Sequence, residues 1–329
     1  MSTGDPVGLL NEESEQAVVV DDQGGAQAIT ARSPLQLFWR RLRRDKVAMT
    51  ALGFIVALIL MAILAPVVVS ILGAPDPKAQ NSSALDLFGG PTGPSGDHWF
   101  GVDQLGRDIL SRTIYGARVS LEVALIATGL AVIIGVIVGL VAGFYRGWTD
   151  TILSRLTDVV LAFPILLLGL GLAAACSGAN GCLGGTIQPG LPVVIMTIAV
   201  INWTYIARIV RGQVLSLREK EFVESARSLG ASNSRIITRE ILPNLVAPLI
   251  VYSSLLIPAN ILLEAALSFL GVGVSGGTAS WGAMISDATN LFPEAWWFML
   301  FPGLALLFTV LAFNLVGDGL QDALDPRRR

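Results

Sequence analysis

Residues 117–143 read ARVSLEVALIATGLAVIIGVIVGLVAG, and this run decides the fold. As a helix it is long enough to cross the roughly 30 Å of hydrocarbon in a bilayer. Its apolar residues come as a block, without the one-sided stripe of a helix packed on a soluble core. Similar blocks recur at 47–72, 157–176, 192–211, 245–270 and 295–317. The expectation is an all-α polytopic membrane protein with six transmembrane helices. Pro164 in the third run, and Pro248 and Pro258 in the fifth, are compatible with spanning helices, because neighbouring helices satisfy the freed carbonyls. Within the opening run Gly135, Gly139 and Gly143 fall every fourth residue, a spacing that lets two helix backbones approach closely. Gly is also simply common in membrane helices, and the sequence leaves both readings open.

Composition points the same way. Hydrophobic residues fill 53% of the 329 positions and charged residues only 14%, against about 25% charged in soluble domains. One His and two Cys are too few for a zinc site closed by this chain or for a disulfide framework, and no metal site is expected. His98 has Asp97, Asp103 and Asp108 nearby but no second His or Cys, so it reads as a packing or hydrogen-bonding residue. Cys176 and Cys182 flank Ser-Gly-Ala-Asn-Gly, where one local bridge is feasible; the alternative is a cysteine packed at the end of the third span.

Residues 1–32 hold six acids before the first base, Arg32, and lack an apolar run. They read as a disordered acidic tail and not as a signal peptide, which needs a basic start and an apolar middle. In residues 33–46, Ser33-Pro34 resembles a cap and first turn, and Leu35, Phe38, Trp39 and Leu42 share one face among four arginines. That is a helix lying in the headgroup region of membrane lipid. A first span at 47–72 and an extracytoplasmic loop at 73–116 follow. Residues 117–320 form a five-helix core, interrupted by a long polar segment at 212–244, and 321–329 is a C-terminal tail. Of the 22 Lys and Arg, 18 fall on the side holding both termini and 212–244, which makes that side cytoplasmic.

The polar segment contains Glu221-Phe222-Val223-Glu224-Ser225-Ala226-Arg227-Ser228-Leu229-Gly230. Up to Leu229 it reads as helix, with Phe222, Ala226 and Leu229 on an apolar face, Glu221 and Glu224 in the first turn, and Gly230 as the stop. A second helix runs on to Pro243. Nothing in the chain is obliged to cover that apolar face, so it asks for a partner.

Glu224-Ser225-Ala226, Gly230 and Leu242-Pro243 resemble the EAA loop of permease subunits in ATP-binding-cassette importers. The chain departs from the common pattern at Ser225, where Ala is usual, and at Glu240, where an aliphatic is usual. The stretches 98–108, 264–271 and 312–327 resemble the dipeptide and oligopeptide branch, "C" type. The resemblance implies a type I importer permease fold and a coupling helix at Glu221–Gly230 that docks on an ATPase subunit. It also implies two ATPase subunits carrying ATP and magnesium, a related "B" type permease, and an extracytoplasmic peptide-binding protein. Relatives of this pattern are associated with dipeptides, longer peptides, glutathione and nickel.

This chain carries no P-loop, since Lys46, Lys78 and Lys220 follow Asp45, Pro77 and Glu219 where Gly is required. Gly273-Val274-Ser275-Gly276-Gly277 matches a nucleophile elbow in spelling only, with a single His in the chain and no strand before it. No catalytic constellation, cofactor or nucleic-acid partner is expected. Glu264, with Asn260 one turn before it, lies well inside the fifth span, where an unpartnered acid costs about 2.5–3.5 kcal/mol. It either lines the translocation path and meets the peptide amino group, or makes a hydrogen-bonded contact between permease subunits, the preferred reading. An ion-coupled secondary transporter is the competing class; it would place several ionisable groups at the midplane.

The charge count predicts that cysteines introduced at Ser82 and Gly276, in a chain lacking Cys176 and Cys182, are labelled from outside intact cells by an impermeant thiol reagent. One at Ser232 is not, and its labelling in sealed cells would overturn the orientation.

Overall fold

The computed structural model describes residues 18–20, 26–28, 34–176, 178, 181–182, 185–273 and 277–324. The expected acidic tail lies outside them apart from Val18–Val20 (β1) and Ala26–Ala28 (β2), which pair antiparallel. Ser33, the Val274–Gly276 part of the apparent elbow, and residues 325–329 are also outside. The remaining described residues are mostly helical, apart from the long loop at 72–108 and shorter ones at 185–190, 270–273 and 277–280.

Asp45 separates α1 (Pro34–Arg44) from α2 (Lys46–Ile63) and caps α2, its carboxylate accepting from the N–H of Val47 at 2.9 Å and of Ala48 at 3.0 Å. Leu42 of α1 packs in a cluster with Phe38, Ala48, Leu320 and Ala323, against the end of α12 (Trp296–Leu324). Trp39 stays exposed beneath Arg43, whose guanidinium is 5.0 Å from the ring centre. Leu42 and Phe38, part of the apolar face expected to meet lipid, are therefore covered by protein. After a bend at Leu64, α3 (Ala65–Ile71) completes the first span.

The central element is α4 (Ile109–Tyr145), a helix of 37 residues that starts before the apolar run, inside the expected outer loop. Asp108 caps it, accepting from Ser111 N–H at 2.8 Å. Its partner is α7 (Leu191–Leu217). A Cβ on Gly135 would come within 2.7 Å of Trp203 O, one on Gly139 within 2.6 Å of Ala207 O, and one on Gly143 within 2.8 Å of the Val214 Cβ. The three glycines are thus the floor of a backbone-to-backbone seam, which decides the question the spacing left open.

The third span departs from expectation. Instead of one helix through Pro164, α5 (Gly147–Ala162) and α6 (Ile165–Cys176) meet at 91°. Phe163 takes φ −86°, ψ 138°, the extended conformation that a following proline favours. With 12 residues, α6 reaches only about 18 Å, short of the hydrocarbon thickness. Five helices among the described residues are long and apolar enough to cross a membrane, and the bent pair makes six if it counts as one span. Beyond α6, Cys176 and Cys182 bring their sulfur atoms within bonding distance, with Cα atoms 4.7 Å apart.

The polar segment folds as α8 (Glu221–Ser228) and a single turn, α9 (Asn233–Arg235). A wide π turn (Ile236–Ile241) then leads into α10 (Leu242–Phe269). Helix does not end near Pro243, as the sequence suggested. The π turn carries it past the proline, and Asn233–Phe269 is continuous enough to count as one span. A short helix, α11 (Trp281–Ala288), sits in the following loop and buries Trp281, whose indole N–H donates to Thr113 O at 3.0 Å.

Gly139→Leu must separate α4 from α7 and should cost on the order of 1–3 kcal/mol. Gly129→Ala, whose Cβ would meet nothing within 4 Å, should be neutral. Thermal unfolding of the purified protein in detergent checks this: a clear fall in midpoint for Gly139→Leu alone is expected, and equal midpoints would show that the seam has slack.

Candidate functional site

The expected coupling residues gather at the end of the bundle where α7 stops. Arg218 donates through Nη1 to Phe144 O at 2.5 Å, and its guanidinium lies 5.9 Å from the Phe144 ring centre. Arg146 donates to Glu219 Oε1 at 2.6 Å. These contacts tie the ends of α4 and α7 together just before the chain turns into α8. Glu221 and Glu224 occupy the first turn of α8, where the helix dipole favours acids. The helix closes at Gly230, which has φ +80°. Its N–H donates to Arg227 O at 3.0 Å, and Ala231 N–H donates to Ala226 O at 3.0 Å, the bonding pattern of a left-handed glycine stop.

Val223 is the residue the sequence reading missed. It is fully buried in a cluster with Phe144 of α4, Val210 and Val214 of α7, Ile236 and Ile241 of the π turn, and Leu245 of α10. Ala226 packs at the edge of that cluster. The anticipated apolar face is therefore divided. Ala226 joins Val223 in the chain's own core, while Phe222 is 40% exposed and Leu229 88% exposed on the far side. Eight residues carry too little periodicity to separate two apolar sides; the alternation of Phe222 and Val223 was the only clue. Glu221, Glu224 and Ser225 are exposed beside Phe222. Pro243 stands in the first turn of α10.

Glu264 and Asn260 are both fully buried, and their partners come from this chain. Glu264 accepts from Ser120 Oγ of α4 and from Ser268 Oγ, each at 2.8 Å. Asn260 Oδ1 accepts from Asn202 Nδ2 of α7 at 2.6 Å, and Asn260 Nδ2 donates to Thr128 Oγ1 of α4 at 2.7 Å. In this conformation they tie α10 to α4 and α7, and neither opens on a channel. Ser120 and Thr128, two turns apart on α4, are the matching half of the network.

A second polar knot holds the opposite end. Arg107 Nε donates to Asp103 Oδ2 at 2.6 Å, Arg112 Nε lies 3.5 Å from the same oxygen, and Arg107 reaches Asp287 of α11 at 4.0 Å. Burial pushes the Asp287 carboxyl above its ordinary range, opposed by the attraction of Arg112 and Arg107. His98 Nδ1 bonds Asp108 Oδ2 at 2.8 Å, the hydrogen-bonding role read for it.

Residues 135–329 match the family described as binding-protein-dependent transport system inner membrane component, and residues 33–89 match the N-terminal transmembrane domain of oligopeptide transport permease C. The chain belongs to this family of ABC importer permeases. The permease is 41% identical over 300 residues to the dipeptide transport system permease protein DppC of Alkalihalophilus pseudofirmus, covering 91% of this chain and 92% of that one. It is 43% identical over 296 residues to the glutathione transport system permease protein GsiD of Escherichia coli O6:K15:H31, covering 90% and 91%. In fold it resembles a chain of the MetNI methionine ABC transporter in an inward-facing conformation, with a TM-score of 0.54 at 18% identity, over 66% of this permease and 96% of that chain.

Val223→Ala should loosen α8 by on the order of 1–3 kcal/mol through the cavity it leaves, whereas Phe222→Ala removes only exposed surface. Limited trypsin cleavage at Arg218, Lys220 and Arg227 should accelerate in the first variant and not in the second. Equal rates would mean that Val223 does not anchor the helix.

Proposed function

We propose that this permease moves short peptides into the cell as half of a transmembrane pathway, beside a related "B" type permease subunit. On this reading two ATPase subunits hold the ATP and magnesium, one of them docks at α8, and a peptide-binding protein delivers cargo to the other face. Both termini and α8 then lie in the cytoplasm, as the arginine distribution requires. Peptide cargo is favoured because a relative named for dipeptides and one named for glutathione each align over nine-tenths of the chain.

The observation that carries the docking role is the pairing of two uncovered apolar side chains with one buried anchor on a single short helix. Phe222 and Leu229 offer a partner apolar surface at little cost to this chain. Val223 fixes the same helix to a cluster shared by α4, α7 and α10. When the ATPases close, a push on Phe222 and Leu229 is passed through Val223 to three spanning helices at once. Coupling by contact needs no bond-breaking residue in this subunit.

The pair Phe222→Ser with Leu229→Ser tests it. Both positions are exposed, so the variant should reach the membrane and assemble with the partner permease at wild-type levels. It should lose most of its co-purifying ATPase and its stimulation of ATP hydrolysis by binding protein with peptide. Wild-type stimulation in that variant would remove α8 from the coupling path.

A further inference from the structure

At the end of the bundle opposite α8, a cavity of about 450 Å³ opens between the segment after α3, the first turns of α4 and the loop before α11. Its walls include Asp76, Lys78, Tyr115, Arg118, Glu122 and Thr278. The size falls within the range of small-molecule sites, about 300–1,000 Å³. The chemistry of the wall is unusual for this helix. Arg118 and Glu122 stand one turn apart on α4 and are both exposed, and the same helix continues with exposed Leu125, Ile126, Leu130, Ile133 and Ile137.

Charges at i and i+4 on a helix are close enough to pair, yet Arg118 and Glu122 form no ion pair with each other or with any described residue. They contrast with Arg107, just before α4, and Arg112 in its first turn, which turn inward onto Asp103. Across the cavity, Asp76 is engaged by its own loop, its carboxylate accepting from Lys78 N–H at 2.8 Å. The Lys78 ammonium has no ion-pair partner among the described residues either. The cavity thus presents one free carboxylate and two free cations at the margin of a spanning helix, where a charge facing lipid would be costly.

We propose that this cavity is the first resting site of a zwitterionic peptide leaving its binding protein, with Glu122 taking the terminal ammonium and Arg118, assisted by Lys78, taking the terminal carboxylate. This rests on the peptide-importer reading above. A peptide held by both ends presents its side chains to Tyr115 and Thr278, so the site reads free termini and is tolerant of sequence. It lies on the exposed face of α4 that leads on toward the apolar stretch from Leu125 to Ile137, and so at the head of the route the cargo must follow.

The test uses the whole transporter, with both permeases, ATPases and binding protein, reconstituted in vesicles. Uptake of a defined dipeptide library is read by mass spectrometry and divided by ATP hydrolysed in the same vesicles. Unfolded complex contributes to neither number, so the ratio is insensitive to yield. Glu122→Gln and Arg118→Gln should each lower peptide moved per ATP by about tenfold, the effect of losing one charge-assisted hydrogen bond, and Glu122→Asp should recover part of the loss. An unchanged ratio in both variants, with the wild type moving peptide, overturns the site and leaves the importer reading intact. Failure of the wild type to move any peptide of the library overturns the peptide reading, and the site with it.

Discussion

The structure depends on the backbone seam between α4 and α7. Gly135, Gly139 and Gly143 leave α4 without side chains along one line, and the Trp203–Val214 stretch of α7 fills it at distances no Cβ could share. In a bilayer there is no hydrophobic force pressing helices together, so such close packing is a main source of association. The seam also sets where everything else can sit. Above it, Ser120 and Thr128 of α4 and Asn202 of α7 are placed to bond Glu264 and Asn260 of α10. Below it, Phe144, Val210 and Val214 form the bed on which Val223 rests.

This arrangement gives a short exposed helix leverage over a large part of the fold. An eight-residue helix has little stability of its own, since nucleation is unfavourable and few bonds follow it. What holds α8 is tertiary: the glycine stop at one end, the arginine ties at Phe144 and Glu219 just before it, and one valine in between. The polar contacts of Glu264 and Asn260 act similarly on α10, because a buried carboxylate or amide with all its partners in one chain resists separation from them.

Most of the spans and the short helix of the polar segment were legible in the sequence because they rest on strong local signals: apolar blocks, and the acidic first turn and glycine stop of the Glu221–Gly230 stretch. The remainder rested on pairings that no local pattern encodes. The 91° break at Phe163–Pro164 looked like a tolerated proline, because sequence cannot say whether neighbours will satisfy the freed carbonyls. Pro243 looked like a stop, because a π turn that carries helix past a proline leaves no compositional mark. Glu264 was visible as an anomaly, but Ser120, its partner 144 residues away, was an ordinary serine until the fold placed it. Val223 was hidden between two more conspicuous neighbours.

If the seam has no slack, α4, α7 and α8 must travel as one body when the ATPases close. The direct measurement is the distance distribution between spin labels at Ile137 on α4 and Ser228 on α8, both exposed, in the assembled transporter with and without trapped ATP. The account predicts an unchanged distribution, while a label pair joining Ser228 to the same position of the partner permease changes distance. A shift between Ile137 and Ser228 that exceeds the width of either distribution would show α8 moving independently of the helices it is held to drive.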